Sequence, residues 1–392
     1  MRRELVVVCM LVTSVAFAAG AASQSDEGDT PFVWPIPAWM APPPVPEDNP
    51  MTSAKVELGR RLFYDSRLSR DGTVACASCH EQARAFTDGR ALAVGINETV
   101  GIRNVPSVAN VGYYPQLTWG NPHMTSLEFQ ALIPMFGDNP DEMGSNGREA
   151  EIFARLAADP WYAEAFPAAF PERPKVDLFT VTRALGAFQR TLISLDSPYD
   201  RFKYWGEEDA LSDAAKRGEQ LFFDHRFECY HCHVGVLFTD NLQTTRSALS
   251  ETGSHNTGLY NIGGAGHYPA QATGFYEFTG HPSDMGRFRT PSLRNVGVTG
   301  PYFHDGSAET LEEVLAHYAR GGREIAEGPH AGDGAQNPHK DGMIVGFKAS
   351  EQEIAELIAF LESLTDEGFL TNPAYADPWP AGHPASVERV MP

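Results

Sequence analysis

Two pentapeptides in this sequence have the residue types and spacing to do chemistry: Cys76-Ala77-Ser78-Cys79-His80 and Cys229-Tyr230-His231-Cys232-His233. Each reads C-x-x-C-H, the attachment signal for c-type haem. Two thiols at this spacing can bond the two vinyl groups of a haem, and the histidine that follows is placed to ligate the iron from one face. Disulfides, or one zinc site made of all four cysteines, are the competing uses. A histidine directly after each pair argues against both. Two covalent haems are therefore expected, with His80 and His233 as axial ligands. The second axial position of each iron decides between carrying electrons and doing chemistry.

The elements that must position these motifs can be read outward from them. Residues 1–22 read as a signal peptide. Met1-Arg2-Arg3 is a short basic start, and the apolar run Leu5 to Ala18 is too short to span a bilayer. Cys9 lies inside that run and does not read as a lipoprotein cysteine. No later segment is long and apolar enough for a membrane helix, so an exported, periplasmic protein without a membrane anchor is expected. The formal charge of −21 makes nucleic acid an unsuitable partner. Residues 23–49 are rich in proline and acidic residues and read as an extended arm.

A repeat then organises the chain. Gly59, Leu62, Phe63, Asp65 and Arg67 before the first motif recur at the same offsets as Gly218, Leu221, Phe222, Asp224 and Arg226 before the second. Phe86-Thr87-Asp88 matches Phe238-Thr239-Asp240. Pro106-Ser107 with Asn110-Val111-Gly112 matches Pro291-Ser292 with Asn295-Val296-Gly297. Ser126-Leu127-Glu128 matches Thr310-Leu311-Glu312. Four matches in order imply an internal duplication. The fold class expected is mainly α, with two cytochrome c-like haem domains and long loops. The first domain spans 50–197, the second 198–370, and a tail covers 371–392. Helices are predicted over Asp177–Leu195 and Ser350–Leu364, the second opened by a Ser350/Glu353 capping box. Histidines 255, 267, 281, 330 and 339 fall in the long loops and read as surface residues.

The duplication allows one iron to be compared with the other. Seven residues past Leu311 is Tyr318, whereas seven past Leu127 is Pro134. Tyrosine can ligate iron through its phenolate, and proline cannot ligate at all. The second haem is thus expected to be closed by His233 and Tyr318, and the first to be open opposite His80. A half-buried helix tyrosine is the plainer use of Tyr318, and Met285 and Met343 are rival ligands. Breaking an O–O bond at the open face needs acid–base help. Gln130 lies one turn before Pro134, and Glu142 follows, with Asp138 and Asp141 as competitors. Trp119, between the motif and this segment, suits an electron relay or simply a core position.

These motifs, together with Arg103-Asn104-Val105-Pro106-Ser107 and Pro301-Tyr302-Phe303-His304-Asp305-Gly306, resemble the bacterial di-haem cytochrome c peroxidase/MauG superfamily over nearly the whole mature chain. The resemblance implies two cytochrome c-like domains with a calcium ion between two covalent haems. It makes His80 and His233 proximal ligands and Trp119 the inter-haem tryptophan. It assigns Gln130, Pro134 and Glu142 to the distal pocket, and Asn104 with the carbonyls of Thr299 and Pro301 to calcium. Classical members carry methionine where Tyr318 stands, and many carry a histidine soon after the first motif. This chain has none between His80 and His123. Both departures favour the MauG-like or MbnH-like branch. Such enzymes use hydrogen peroxide to oxidise a tryptophan of a partner protein by hopping through surface aromatics. The alternative is a classical peroxidase that draws electrons from a small cytochrome or cupredoxin. A non-catalytic electron carrier is disfavoured by Pro134, and nothing favours haem storage or sensing.

Overall fold

The structure is a computed structural model and describes residues 32–386. The expected signal peptide, residues 23–31 of the expected arm and residues 387–392 lie outside the described residues. The fold is mainly helical. Among the described residues, eight helices have eight or more residues: α1 Ser53–Phe63, α2 Glu149–Ala157, α3 Pro160–Ala169, α4 Leu178–Arg190, α5 Pro198–Trp205, α6 Asp213–Phe222, α7 Leu311–Arg320 and α8 Glu351–Glu362. Two two-residue antiparallel pairs supply the sheet content. They join Ser254–His255 to Phe288–Arg289 and Glu324–Ile325 to Gly332–Asp333.

The helix starts follow from capping. The Asp177 carboxylate accepts from the Thr180 amide, while the Thr180 hydroxyl accepts from the Asp177 amide. Ser350 and Glu353 make the same reciprocal pair before α8. Each arrangement satisfies amides that the first turn leaves unpaired. The expected helix Asp177–Leu195 stops early, at Arg190, for a tertiary reason. Asn110 takes the next backbone groups: its amide donates to the Leu192 carbonyl, and its side chain binds both Ser194 N and Ser194 O. Asn295 does similar work beyond α8, where its amide donates to Leu364 O and its Oδ1 accepts from Asp366 N.

Two helix crossings anchor the haem motifs. Helix α1 crosses α4 at Gly59, where an added Cβ would lie 1.9 Å from the Ala184 carbonyl oxygen and 2.9 Å from Phe188 Cβ. Helix α6 crosses α8 at Gly218, where a Cβ would lie 1.9 Å from the Glu356 carbonyl and 2.8 Å from Phe360 Cβ. Only glycine lets the backbones approach this closely. The first crossing sits in a core with Leu58, Leu62, Phe63, Leu185 and Phe188. The second sits in a core with Phe222, Phe238, Leu357, Phe360 and Leu361. A smaller third cluster holds Trp119, Leu259, Tyr268, Met285 and Phe288.

Both ends of the described chain close onto the body. Residues 32–49 have no helix or strand, yet Met40 is buried and Trp39 stacks on Tyr204 at 4.2 Å. The segment expected as a tail packs into the first core through Tyr375, Trp379 and Ala385. Trp379 Nε1 donates to Arg61 O, and the Tyr64 hydroxyl donates to Tyr375 O.

Candidate haem sites

The first motif is a single turn, Cys76–Cys79, separated by residues 69–75 from the short 3-10 turn Ser66–Leu68. His80 Nδ1 lies 2.7 Å from the Phe86 carbonyl oxygen. In the second motif, His233 Nδ1 lies 3.0 Å from Phe238 O. Bonding Nδ1 to a carbonyl fixes the tautomer and orientation, and it leaves Nε2 free to bind a metal. Phe86 and Phe238 both adopt left-handed backbone, with φ of 62° and 52°. Bulky residues rarely adopt this conformation, which persists only where the surroundings impose it. The surroundings here are alike: the Ser107 hydroxyl donates to Ala85 O and the Ser292 hydroxyl to Leu237 O, each at 2.6 Å.

All four motif cysteines are free thiols, so the disulfide alternative is not formed. Burial pushes the Cys76, Cys79 and Cys229 thiols up to about 12 and lowers both motif histidines. Yet all six side chains keep some accessible surface. Of these, Cys229, Cys232 and His233 line an internal hollow. The hollow at the second motif is bounded by His233, Cys229, Cys232, Phe222 and Tyr318. Arg289 also lines it, is 3% exposed, and has no carboxylate partner among the described residues. A buried cation without a counter-charge is costly. A haem propionate is the kind of group that answers it. The unpaired thiols, anchored imidazoles and orphan guanidinium therefore fit c-type haem.

The two far sides differ. Tyr318, on α7, borders the second hollow, and burial, followed by the nearby cysteines, raises its phenol above the usual value. Among the described residues nothing hydrogen-bonds its hydroxyl. Met343 borders the same hollow but is 41% exposed, whereas Met285 lies in the third cluster with Trp119. At the first site, Ser126 caps the short helix Leu127–Gln130, and Leu132–Phe136 follows with Pro134 inside it. Glu142 stands close enough to Cys76 and Cys79 for its charge to raise both thiols, and burial raises its own carboxyl. Its rivals are engaged elsewhere: Asp138 accepts from Asn146, and Asp141 pairs with Arg70 at 3.6 Å.

Trp119 is buried, donates from Nε1 to Asn104 O at 2.8 Å, and borders the second hollow. Asn104, Thr299 and Pro301 line that same hollow. Asn104 Nδ2 donates to Arg90 O, which turns its amide oxygen away from that bond.

Two site residues were not legible as such. Arg289 is one. The other is His255, read from sequence as a surface loop residue. The structure corrects this: His255 is partly buried beside Cys232, with Nδ1 2.6 Å from Asp341 and Nε2 2.6 Å from Asp240. Burial alone would lower it, but hydrogen bonds that the imidazolium donates to Asp240, Cys232 and Asp341 outweigh burial and raise it to about 11. Asp240 was visible in its repeat, but its pairing with a residue of an inserted loop was not.

Residues 53–209 match the family model described as di-haem cytochrome c peroxidase. The chain is 36% identical over 375 residues to the cytochrome-c peroxidase IdrP1 of Denitromonas iodatirespirans, covering 91% of this chain and 92% of that protein. It is 35% identical over 366 residues to the methylamine utilization protein MauG of Methylorubrum extorquens, covering 92% and 93%. A solved MauG-like protein associated with microbial copper homeostasis superposes with a TM-score of 0.86 at 49% identity, covering 89% of this chain and all of that one. The chain belongs to the di-haem cytochrome c peroxidase/MauG family. It is therefore a di-haem oxidoreductase, and the family implies two c-type haems. No helix among the described residues is long and apolar enough to cross a membrane.

Proposed function

We propose that this enzyme works in the manner of the MauG-like branch, taking hydrogen peroxide at the first haem site and oxidising a partner protein, at a tryptophan, from the second. The two halves are read as an internal duplication. Matching glycine crossings, histidine–carbonyl bonds and serine clamps support that reading. The observation that carries the function is the asymmetry laid on this common frame. Tyr318 presents an unpartnered phenol to the second hollow, whereas the corresponding helix of the first half presents Pro134, which has no ligand atom. The likeness to the MauG-like protein at 49% identity points the same way.

Cys76 and Cys79 with His80, and Cys229 and Cys232 with His233, would hold the two haems, which would supply the redox chemistry. The remaining work falls to side chains. Glu142, whose carboxyl burial holds above its usual range, takes a proton from incoming peroxide and returns it to the departing water. Gln130 orients that peroxide. Tyr318 closes the second site with a hard oxygen donor, and Trp119 bridges the two sites as an electron relay. Asn104 Oδ1 and the carbonyls of Thr299 and Pro301 supply hard oxygen ligands suited to calcium. Export to the periplasm accords with covalent haem attachment.

The alternative is a classical cytochrome c peroxidase, and the name of the IdrP1 relative favours it. One experiment separates the two. Hydrogen peroxide, one equivalent, is added to the fully ferric protein, and absorption and electron paramagnetic resonance are followed. Loss of both ferric signals without prior reduction is expected. A reaction only after one haem is reduced would overturn the MauG-like reading.

A further inference from the structure

Tyr230 occupies the first variable position of the second motif, one residue from Cys229 and two from Cys232. The first motif has Ala77 at that position, 6% exposed and incapable of redox chemistry. Tyr230 is partly exposed, and its phenol oxygen lies 2.8 Å from His225 Nδ1. His225 is itself open to solvent, with its side chain 87% exposed. The rings of Tyr230 and His231 lie 4.2 Å apart, and Phe223, 43% exposed, lies 6.2 Å from Tyr230. One end of this cluster thus joins the haem-attachment segment, and the other faces water.

We infer that Tyr230 and His225 form the exit through which the second haem site oxidises a docked protein, Tyr230 carrying the electron and His225 the proton. The inference rests on the peroxide-dependent reading above. With an oxidised haem held at the second motif, Tyr230 would give up an electron as its phenol proton moved to His225 Nδ1, leaving a neutral tyrosyl radical beside an imidazolium. The radical then takes one electron from an aromatic side chain of the partner and recovers its proton from His225. Two such rounds consume the two oxidising equivalents of one hydrogen peroxide, which is reduced to water. The geometry supports this order. A phenol is hard to oxidise while it keeps its proton, and a base at hydrogen-bond distance receives that proton as the electron leaves. Adjacent residues along the chain are about 3.8 Å apart at Cα, so Tyr230 lies within a short step of the Cys229 attachment.

The test uses the full holoprotein, hydrogen peroxide and a nitroso spin trap, with peptide mass spectrometry to map the adduct and paramagnetic resonance to follow the ferric haems. A trapped adduct on Tyr230 is expected in the unaltered protein. Y230F should lose it while its ferric signals still disappear with peroxide. H225N, made at a side chain 87% exposed, should lose most of it for want of a proton acceptor. Disappearance of the ferric signals with adducts only on other residues overturns the exit and leaves the peroxide reading standing. Full labelling in H225N overturns the role of His225. Ferric signals that persist in peroxide overturn both readings together.

Discussion

The surroundings of the first and second haem motifs differ less in their framework than in what they present to the space between. Each framework has a glycine crossing, an imidazole tied to the carbonyl of a left-handed phenylalanine, and a serine hydroxyl holding the preceding residue. The differences lie on the far helix and the outer rim. Glu142 stands near the first motif, and Tyr318 stands near the second. A buried alanine fills the rim of one and a partly exposed tyrosine that of the other. The comparison teaches that a shared backbone frame can fix the imidazole while a few side chains divide the labour.

The sharpest test of the shared frame is to fill both glycine crossings. Gly59→Ala and Gly218→Ala each put a Cβ 1.9 Å from a carbonyl oxygen of the partner helix. Each should cost about 3 kcal/mol, the upper end for overpacking. Thermal unfolding of the holoprotein would read the loss. A large cost at one crossing and none at the other would break the equivalence.

A smaller effect is expected from Glu142→Gln, which keeps the shape and removes the base. Reaction of the ferric protein with peroxide should slow about 100-fold in stopped flow. The base must be ionised, and burial raises its carboxyl above the usual 4.5. The unaltered rate should therefore fall as pH drops through that raised value, and the variant should lack this limb. An unchanged rate would remove Glu142 from the first site and weaken the contrast.

The smallest effect concerns the matched acids Glu128 and Glu312. Burial alone would raise Glu128, but Arg190, bonded at 2.6 and 3.0 Å, and the Asn49 amide outweigh it and lower the carboxyl to about 2. A depressed acid contributes stability above its unfolded value of 4.5, and that stability is lost as pH falls toward about 2. Linkage sets its ceiling at about 3 kcal/mol, and the two-sided burial cost makes about 1–2 kcal/mol the expected effect of Glu128→Gln near neutrality. Glu312 is exposed, and Glu312→Gln should stay within about 0.5 kcal/mol. Denaturant unfolding across this pH range would show the difference.

Much of the frame was legible because it rests on local pattern. The C-x-x-C-H motifs and the Ser350/Glu353 cap depend on residues close in sequence. What escaped depends on distance along the chain. The bracket on His255 joins residues 240, 255 and 341, and periodicity carries no trace of it. Arg289 carries no distinguishing mark in the sequence, and its burial against Tyr114 and Trp119 emerges only in the fold. The early end of α4 at Arg190 is set by Asn110, some eighty residues earlier in the chain.

The seam between the two ends of the chain sets an order of assembly. The first core is not complete until Tyr375, Trp379 and Ala385 have joined it, with Ala385 O accepting from Ser66 N and Trp379 Nε1 reaching Arg61 O. A chain emerging from its N-terminus presents the first motif long before that seam can shut. Its cysteines are thus made some three hundred residues before the side chains that complete the first core.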